Sequence, residues 1–326
     1  MDGGRRYWIL DQKRSLIQGV VYVFFGCYAP PNGLTMKKIL VPTDFSDCAT
    51  FAADVAVDLA EVLMAEVHFY TRVEVHPLWD QLSEKAKMDF PESFNRIYEA
   101  KLKFQELRHR YQDRKVRLVT SYAHGDLVGV VSRYIDKEDI YLIVMGSSGA
   151  DGVKEFFFGS NAQKIVKHAH TPVMVIKHPP KSLDFKHIVF ASDFREGAKR
   201  SFQQLLDFAQ AFTPHIHLLR IEAPVPFGRT DLKEQGNMDE FVDMCWRFPC
   251  TKHEFGDVSI ELGIKHFAED TQADLIAVSH YGKPKMQRLL TGSITEALVN
   301  HLEMPILTMN TRELNAWYKV HEVEMS

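Results

Sequence analysis

The sequence predicts a doubly wound α/β fold built twice in one chain, and three observations predict it. Short apolar runs alternate with amphipathic helical segments along most of its length. Four landmarks recur in the same order in its two halves. A turn-rich stretch, Pro179-Pro180-Lys181-Ser182, separates those halves.

The repeats set the domain plan. Lys38-Ile39-Leu40-Val41-Pro42-Thr43-Asp44-Phe45 matches His187-Ile188-Val189-Phe190-Ala191-Ser192-Asp193-Phe194, an offset of 149 residues from Asp44 to Asp193. Both are apolar runs that end in hydroxyl-Asp-Phe. Tyr141 to Gly149 matches Asp274 to Gly282, and Gly159-Ser160 matches Gly292-Ser293, now with an offset of 133. Last, Thr171 to Ile176 matches Met304 to Met309. The offset changes by 16 in the middle of each copy, where the first holds a longer helical insert at about 77–112. The predicted domains are therefore 36–178 and 183–311, with a tail at 312–326.

Within the first copy, the segment 37–42 carries the continuous apolar run Ile39-Leu40-Val41-Pro42, as a strand buried on both faces does. Ser46-Asp47 opens a helix whose apolar positions, Ala49, Ala52, Ala53, Ala56, Leu59, Ala60 and Leu63, follow a period near 3.6. Glu66 to Val73 reads as the second strand, Glu92 to Tyr111 as an amphipathic helix and Val116 to Tyr122 as the third strand. Leu127 to Ile135 is a helix, Ile140 to Met145 the fourth strand, Gly159 to His168 a helix and Val173 to Lys177 the last strand. Each copy is thus a five-stranded parallel sheet flanked by helices, and ligands of such sheets bind outside the carboxyl ends of the strands.

Composition narrows the function classes. The 326 residues are 45% hydrophobic and 25% charged, ordinary for a soluble globular chain. A net charge of −4 gives no basic field for nucleic acid. Cys27, Cys48, Cys245 and Cys250 are too few for a disulfide framework, which fits a reducing, cytoplasmic setting. Cys245-x4-Cys250-x2-His253, with His266 beyond, matches no standard zinc spacing and reads as loop residues. The 15 His are scattered, His168 and His170 at a helix end among them, and no metal site is expected. Arg5, Arg6, Lys13 and Arg14 precede an apolar run from Leu16 to Ala29 that resembles a short leader ending near Cys27. The run is too short for a membrane span. Because Met36 starts a strand with no linker before it, residues 1–35 are expected to be a non-native extension or disordered.

The chemistry lies after the first and fourth strands. Copy one reads Gly146-x2-Gly149-x9-Gly159-Ser160. Gly146 and Gly149 are expected to take positive φ and let the backbone approach a ligand. Gly159-Ser160-Asn161 starts a helix, whose free N–H groups and dipole favour a phosphate. Lys154 lies in the loop between. Asp44 has two readings: an acceptor for an adenine amino group, or a helix N-cap.

These motifs resemble the universal stress protein family in its tandem form. The likeness rests on Pro-Thr-Asp after the first strand and Gly-x2-Gly-x9-Gly-Ser after the fourth, and covers 36–178 and 183–311. It implies an adenine-nucleotide α-hydrolase-like fold, with the copies paired antiparallel through their last strands by a pseudo-twofold. It implies ATP, with Mg as companion ion, as cofactor of a stress-response regulatory protein. Pro42, Thr43 and Asp44 would hold adenine. Met145, Gly146, Ser148 and Gly149 would line the ribose and α-phosphate, and Gly159, Ser160, Asn161 and Ala162 the phosphates. Arg72 departs from the family, which usually places an apolar residue against adenine there; it would stack on the base or crowd it. In copy two Ser279 replaces the first glycine, while Asp193, Gly282, Gly292 and Ser293 remain as a weaker second site.

Three functions stand at this point. One is a cytoplasmic ATP-binding regulator whose 150–158 loop, ordered by ATP, is read by a protein partner, with further homodimerisation and no membrane role. The second is a slow ATPase or an enzyme autophosphorylated at Ser148 or Ser160. The third is a non-nucleotide scaffold, or a metal or lipid-ligand binder. No Walker loop and no protein-kinase motif set occurs, and no catalytic residue is assigned.

Overall fold

The computed structural model describes residues 21–23, 36–148, 158–224, 236–280 and 290–310. Its first element is the short strand Val21–Val23 (β1). The first copy then runs Lys38–Pro42 (β2), Asp47–Leu63 (α1), Glu66–Arg72 (β3), a single 3-10 turn at Trp79–Gln81, Glu84–Lys87 (α2), Pro91–Arg110 (α3) and Arg117–Ala123 (β4). It closes with Leu127–Glu138 (α4), Leu142–Gly146 (β5), Ser160–His168 (α5) and Val173–Ile176 (β6). The second copy is His187–Ala191 (β7), Ala198–Ala209 (α6), His215–Glu222 (β8), Met238–Met244 (α7), Cys250–Gly256 (β9), Ile260–Asp270 (α8), Leu275–His280 (β10), Leu290–His301 (α9) and Ile306–Asn310 (β11).

Local chemistry explains the boundaries. Ser46, Asp126 and Ser259 each accept a hydrogen bond from a first-turn backbone N–H and so start α1, α4 and α8. Met64 and Asp139 end α1 and α4 in the left-handed region. β5 is apolar throughout, and β2 from Ile39 onward, because helices cover both faces of the sheet. Ile39, Leu40, Leu142 and Ile143 are fully or almost fully buried. The length difference between copies falls between β3 and β4, where the first copy carries α2 and α3.

Among the described residues eleven strands form one sheet in the order β1-β4-β3-β2-β5-β6-β11-β10-β7-β8-β9. The two predicted five-stranded parallel halves are both present. They join where β6 meets β11 antiparallel, Val173 opposite Thr308 and Val175 opposite Ile306. The order read outward from that seam is the same on both sides, which is the pseudo-twofold. One apolar core covers each face, and both continue through the seam by way of Met174, Leu307 and Met309 on one side and Val173, Val175 and Ile306 on the other.

Two features differ from the sequence reading. Residues 21–23, within the segment expected to lie outside the fold, pair antiparallel with β4, Val21 opposite Thr120. The rest of 1–35 and the 312–326 tail lie outside the described residues. Cys245 and Cys250, read as thiols, are joined as a disulfide with Cα atoms 6.2 Å apart. The short turn between the end of α7 and the start of β9 sets them face to face. Cys48 is the free cysteine among the described residues.

Candidate functional site

In each half the strand order reverses beside the first strand. β3 lies on one side of β2 and β5 on the other, so a crevice opens beyond their carboxyl ends. A cleft of about 580 Å³ occupies it in the first copy. Its walls bring together Pro42, Thr43 and Asp44 from β2, Arg72 from β3, and Met145, Gly146 and Ser148 from β5. Gly159, Ser160, Asn161 and Ala162 at the start of α5 complete it. Gly149 and Lys154 lie outside the described residues.

The β2 side is a tight turn. Thr43 donates its backbone N–H to the Tyr70 carbonyl at 2.8 Å, and its hydroxyl accepts from the Phe45 N–H at 3.0 Å. The Asp44 carboxylate accepts from the Ser46 N–H at 3.0 Å. Phe45 sits in the left-handed region at φ 65, and Phe194 repeats this at φ 57 in the second copy. Of the two sequence readings of Asp44, the helix cap falls to its neighbour. Ser46 caps α1, and Asp44 stands two residues earlier, exposed on the cleft.

The α5 side is an open helix end. Its N-cap is Gly159, which has no side chain to close it, and the first-turn N–H groups have no intrahelical partner. Ser160 and Asn161 are exposed there. The approach to this end is held at two points. Gly159 donates to the Ser147 carbonyl at 2.7 Å. Phe158 donates its N–H to Asn300 Oδ1 of α9 at 3.0 Å. The same Asn300 takes a hydrogen bond from Lys177 Nζ on its carbonyl at 2.9 Å. The second copy therefore supports the first copy's helix entry directly.

Gly146 has a different reason from the one expected. Among the described residues the glycine with positive φ is Gly125, at φ 114. A Cβ on Gly146 would instead lie 2.9 Å from the carbonyl carbon and oxygen of Cys48 and 3.0 Å from its sulfur. The glycine lets β5 run hard against the first turn of α1. Arg72 is likewise not poised alone over the cleft. It donates to Glu74 Oε1 at 2.9 Å, and Arg96 binds the other oxygen of Glu74 at 3.2 Å.

The sequence reading missed one wall. Arg96, Glu99, Ala100 and Lys103 of α3 line the cleft. Lys103 Nζ lies over the Phe45 ring at 5.2 Å. Their i, i+3, i+4, i+7 spacing marks one face of the helix, and that was the available signal. Tyr70 also reaches the cleft; burial pushes its phenol up to about 12, so it stays protonated near neutrality.

The corresponding crevice in the second copy is arranged differently. Ser192 Oγ and Ser279 Oγ stand 3.0 Å apart across it. The Asp193 carboxylate accepts from the Arg195 N–H at 3.2 Å and pairs with its guanidinium at 3.3 Å. Gly236 donates to the Asp193 carbonyl at 3.1 Å, and a Cβ there would fall 1.5 Å from the Phe194 carbonyl oxygen. The chain before α7 thus lies directly on Asp193 and Phe194. Gly292 and Ser293 fall in the first turn of α9, and Gly282 lies outside the described residues.

Comparison with known proteins agrees with this architecture. The profile of the Universal stress protein family matches residues 35–177 and again 184–309. A universal stress protein of Methanocaldococcus jannaschii is 30% identical over 153 residues, 44% of this chain and 84% of that protein. The universal stress protein YxiE of Bacillus subtilis is 29% identical over 147 residues, 43% of this chain and 99% of that protein. Among solved structures, a universal stress protein from Archaeoglobus fulgidus superposes with a TM-score of 0.65 at 18% identity, over 84% of this chain and 98% of that one. That last likeness concerns the fold. Among the described residues, no helix is long and apolar enough to cross a membrane.

Proposed function

We propose that this chain, which belongs to the universal stress protein family, is a cytoplasmic regulatory module that binds ATP in the cleft of its first copy. One observation carries the reading: the open amino end of α5 and the exposed carboxylate of Asp44 line the same cleft at the switch point of the sheet. A helix end without a side-chain cap offers N–H donors and a positive dipole to phosphate. A carboxylate and the backbone of Pro42 and Thr43 offer acceptors to an adenine amino group. The cleft volume, about 580 Å³, suits a nucleotide-sized ligand.

In this reading Met145, Gly146, Ser148 and Gly149 flank the ribose and α-phosphate. Gly159, Ser160, Asn161 and Ala162 hold the phosphates, with Mg accompanying them. Lys103 adds positive charge on the α3 wall, where Arg96 is already paired with Glu74. The second copy, whose Asp193 is engaged by its own chain, serves chiefly as the structural partner of the first.

Calorimetry of the full chain, stripped of nucleotide and titrated with Mg-ATP, tests this. Binding is expected at one site per chain, abolished by Gly159→Val and weakened by Asp44→Ala. Gly292→Val is expected to leave it unchanged. Absence of binding in the wild type, or equal losses from the two glycine variants, refutes the assignment. Single-turnover analysis separates module from enzyme: recovery of intact ATP supports the module, and turnover abolished by Asp44→Ala replaces it with an enzyme.

A further inference from the structure

The amino edge of the sheet, opposite the nucleotide cleft, carries the same corner in both copies with different chemistry. In the first copy β2 and β3 put Lys38 beside Glu66, and His68 follows on the same face of β3. Those groups neutralise one another. Glu66 pairs with Arg117 at 3.0 Å and with His68 at 2.9 Å, while Lys38 pairs with Glu138 at 3.1 Å. In the second copy the matching register positions are His187, His215 and His217, with His187 opposite His215 across β7 and β8. A balanced set of cations and anions is replaced by three imidazoles.

The three rings are gathered closely enough to share one ion. Each offers one nitrogen such that all three lie within 4.8 Å of one another. His187 Nδ1 and His217 Nε2 are 3.2 Å apart, against an edge of about 3.3 Å for a tetrahedral centre with bonds of about 2.0 Å. Further contacts hold the rings from outside. His217 Nδ1 faces His253 Nε2 at 3.3 Å, and His215 Nε2 faces Thr251 Oγ1 at 3.1 Å. Metal-bound imidazoles are held in this way by partners on their second nitrogen. Phe267 closes the apolar side, 6.1 Å from the His217 ring and 4.8 Å from that of His253. His187 and His215 are half-buried, which leaves one side of the cluster open to solvent.

We propose that His187, His215 and His217 bind one divalent transition-metal ion, zinc by preference, with His253 and Thr251 as positioning residues. Three imidazole donors select zinc and its neighbours over magnesium or calcium, which require oxygen ligands. A three-nitrogen set leaves the fourth position to water or an incoming ligand. The site is independent of the nucleotide reading. It lies at the other end of the strands and stands or falls on different residues.

The test is titration of the full chain, freed of metal and nucleotide, with cobalt(II), followed by displacement with zinc(II). One cobalt per chain is expected, with the visible d–d absorption of a tetrahedral nitrogen-ligated ion that zinc abolishes. His187→Gln and His215→Gln, at half-buried positions, are each expected to weaken binding tenfold or more, roughly the loss seen when even an outer-shell partner is removed. Their double variant loses it, with the fold checked by circular dichroism. His266→Gln, whose ring pairs with Asp257 elsewhere, keeps full binding. No cobalt absorption, or its survival in the double variant, overturns the proposal. So does a thiolate charge-transfer band, which would put the ion on a cysteine sulfur such as that of Cys48.

Discussion

Alanine at position 146 decides why a glycine stands at the carboxyl end of β5. If the glycine served ligand approach alone, Gly146→Ala would weaken nucleotide binding and leave the unliganded fold intact. The structure argues otherwise. The added methyl would sit 2.9 Å from two backbone atoms of Cys48 and 3.0 Å from its sulfur. Two of the three obstacles are main chain at the start of α1, so no rotamer change relieves them. Overpacking of this kind costs about 1–3 kcal/mol, or roughly 2–12 °C at about 2–4 °C per kcal/mol for a domain somewhat larger than one copy. The measurement is the thermal and urea midpoint of the full chain without nucleotide. Adding Cys48→Gly removes only the sulfur contact, so it is expected to recover a minor part of the loss. The second copy shows the exchange in natural form, with Ser279 at the strand end and Gly197 at the helix position. A Gly146→Ala midpoint equal to wild type would refute the packing account and restore the ligand-approach explanation.

Two further outcomes follow from the contacts. Asn300→Ala removes the acceptor for the Phe158 N–H. It is expected to cost about 1 kcal/mol of ATP affinity at a site in the other copy, several-fold by calorimetry, without changing the stoichiometry. Glu66 is buried, which raises its pKa, but the hydrogen bond from His68 and the charges of His68, Arg117 and Lys38 outweigh this and hold it below 4.5. A depressed carboxylate contributes stability that is complete above its unfolded value and is lost as pH falls through the lower folded value. Glu66→Gln is therefore expected to lower the urea midpoint at neutral pH and to flatten its decline below about pH 4.5; an unchanged acid limb would contradict the pairing.

Much of the fold was legible because local signals agreed. The apolar runs within 37–42 and 140–145, the helix period from Ala49 to Leu63, and the repeated hydroxyl-Asp-Phe each named an element, and together they named the topology. The cleft residues from β2, β5 and α5 were legible for the same reason: a switch point depends on strand order, and strand order followed from the repeat. What was hidden depends on contact between segments far apart in sequence. Arg96 and Lys103 read as a solvated helix face until α3 folded over the cleft. Asn300 belongs to one copy and acts on the other. His187, His215 and His253 lie on three strands, and only the register of β7, β8 and β9 gathers them. A hint was present in His215-Ile216-His217, since alternate residues of a strand share a face. Gly146 was expected to take positive φ and instead allows close packing, two needs that favour the same residue.

The antiparallel seam between β6 and β11 makes this chain a heterodimer with a built-in tether. Two separate subunits would part on dilution, whereas a short linker keeps the halves at an effective concentration in the millimolar range. Stoichiometry is locked at one of each. Each half can then evolve its own crevice without a symmetric twin suffering the same change. That freedom accounts for an Asp193 covered by its own chain beside an Asp44 left on an open cleft, within a single continuous sheet.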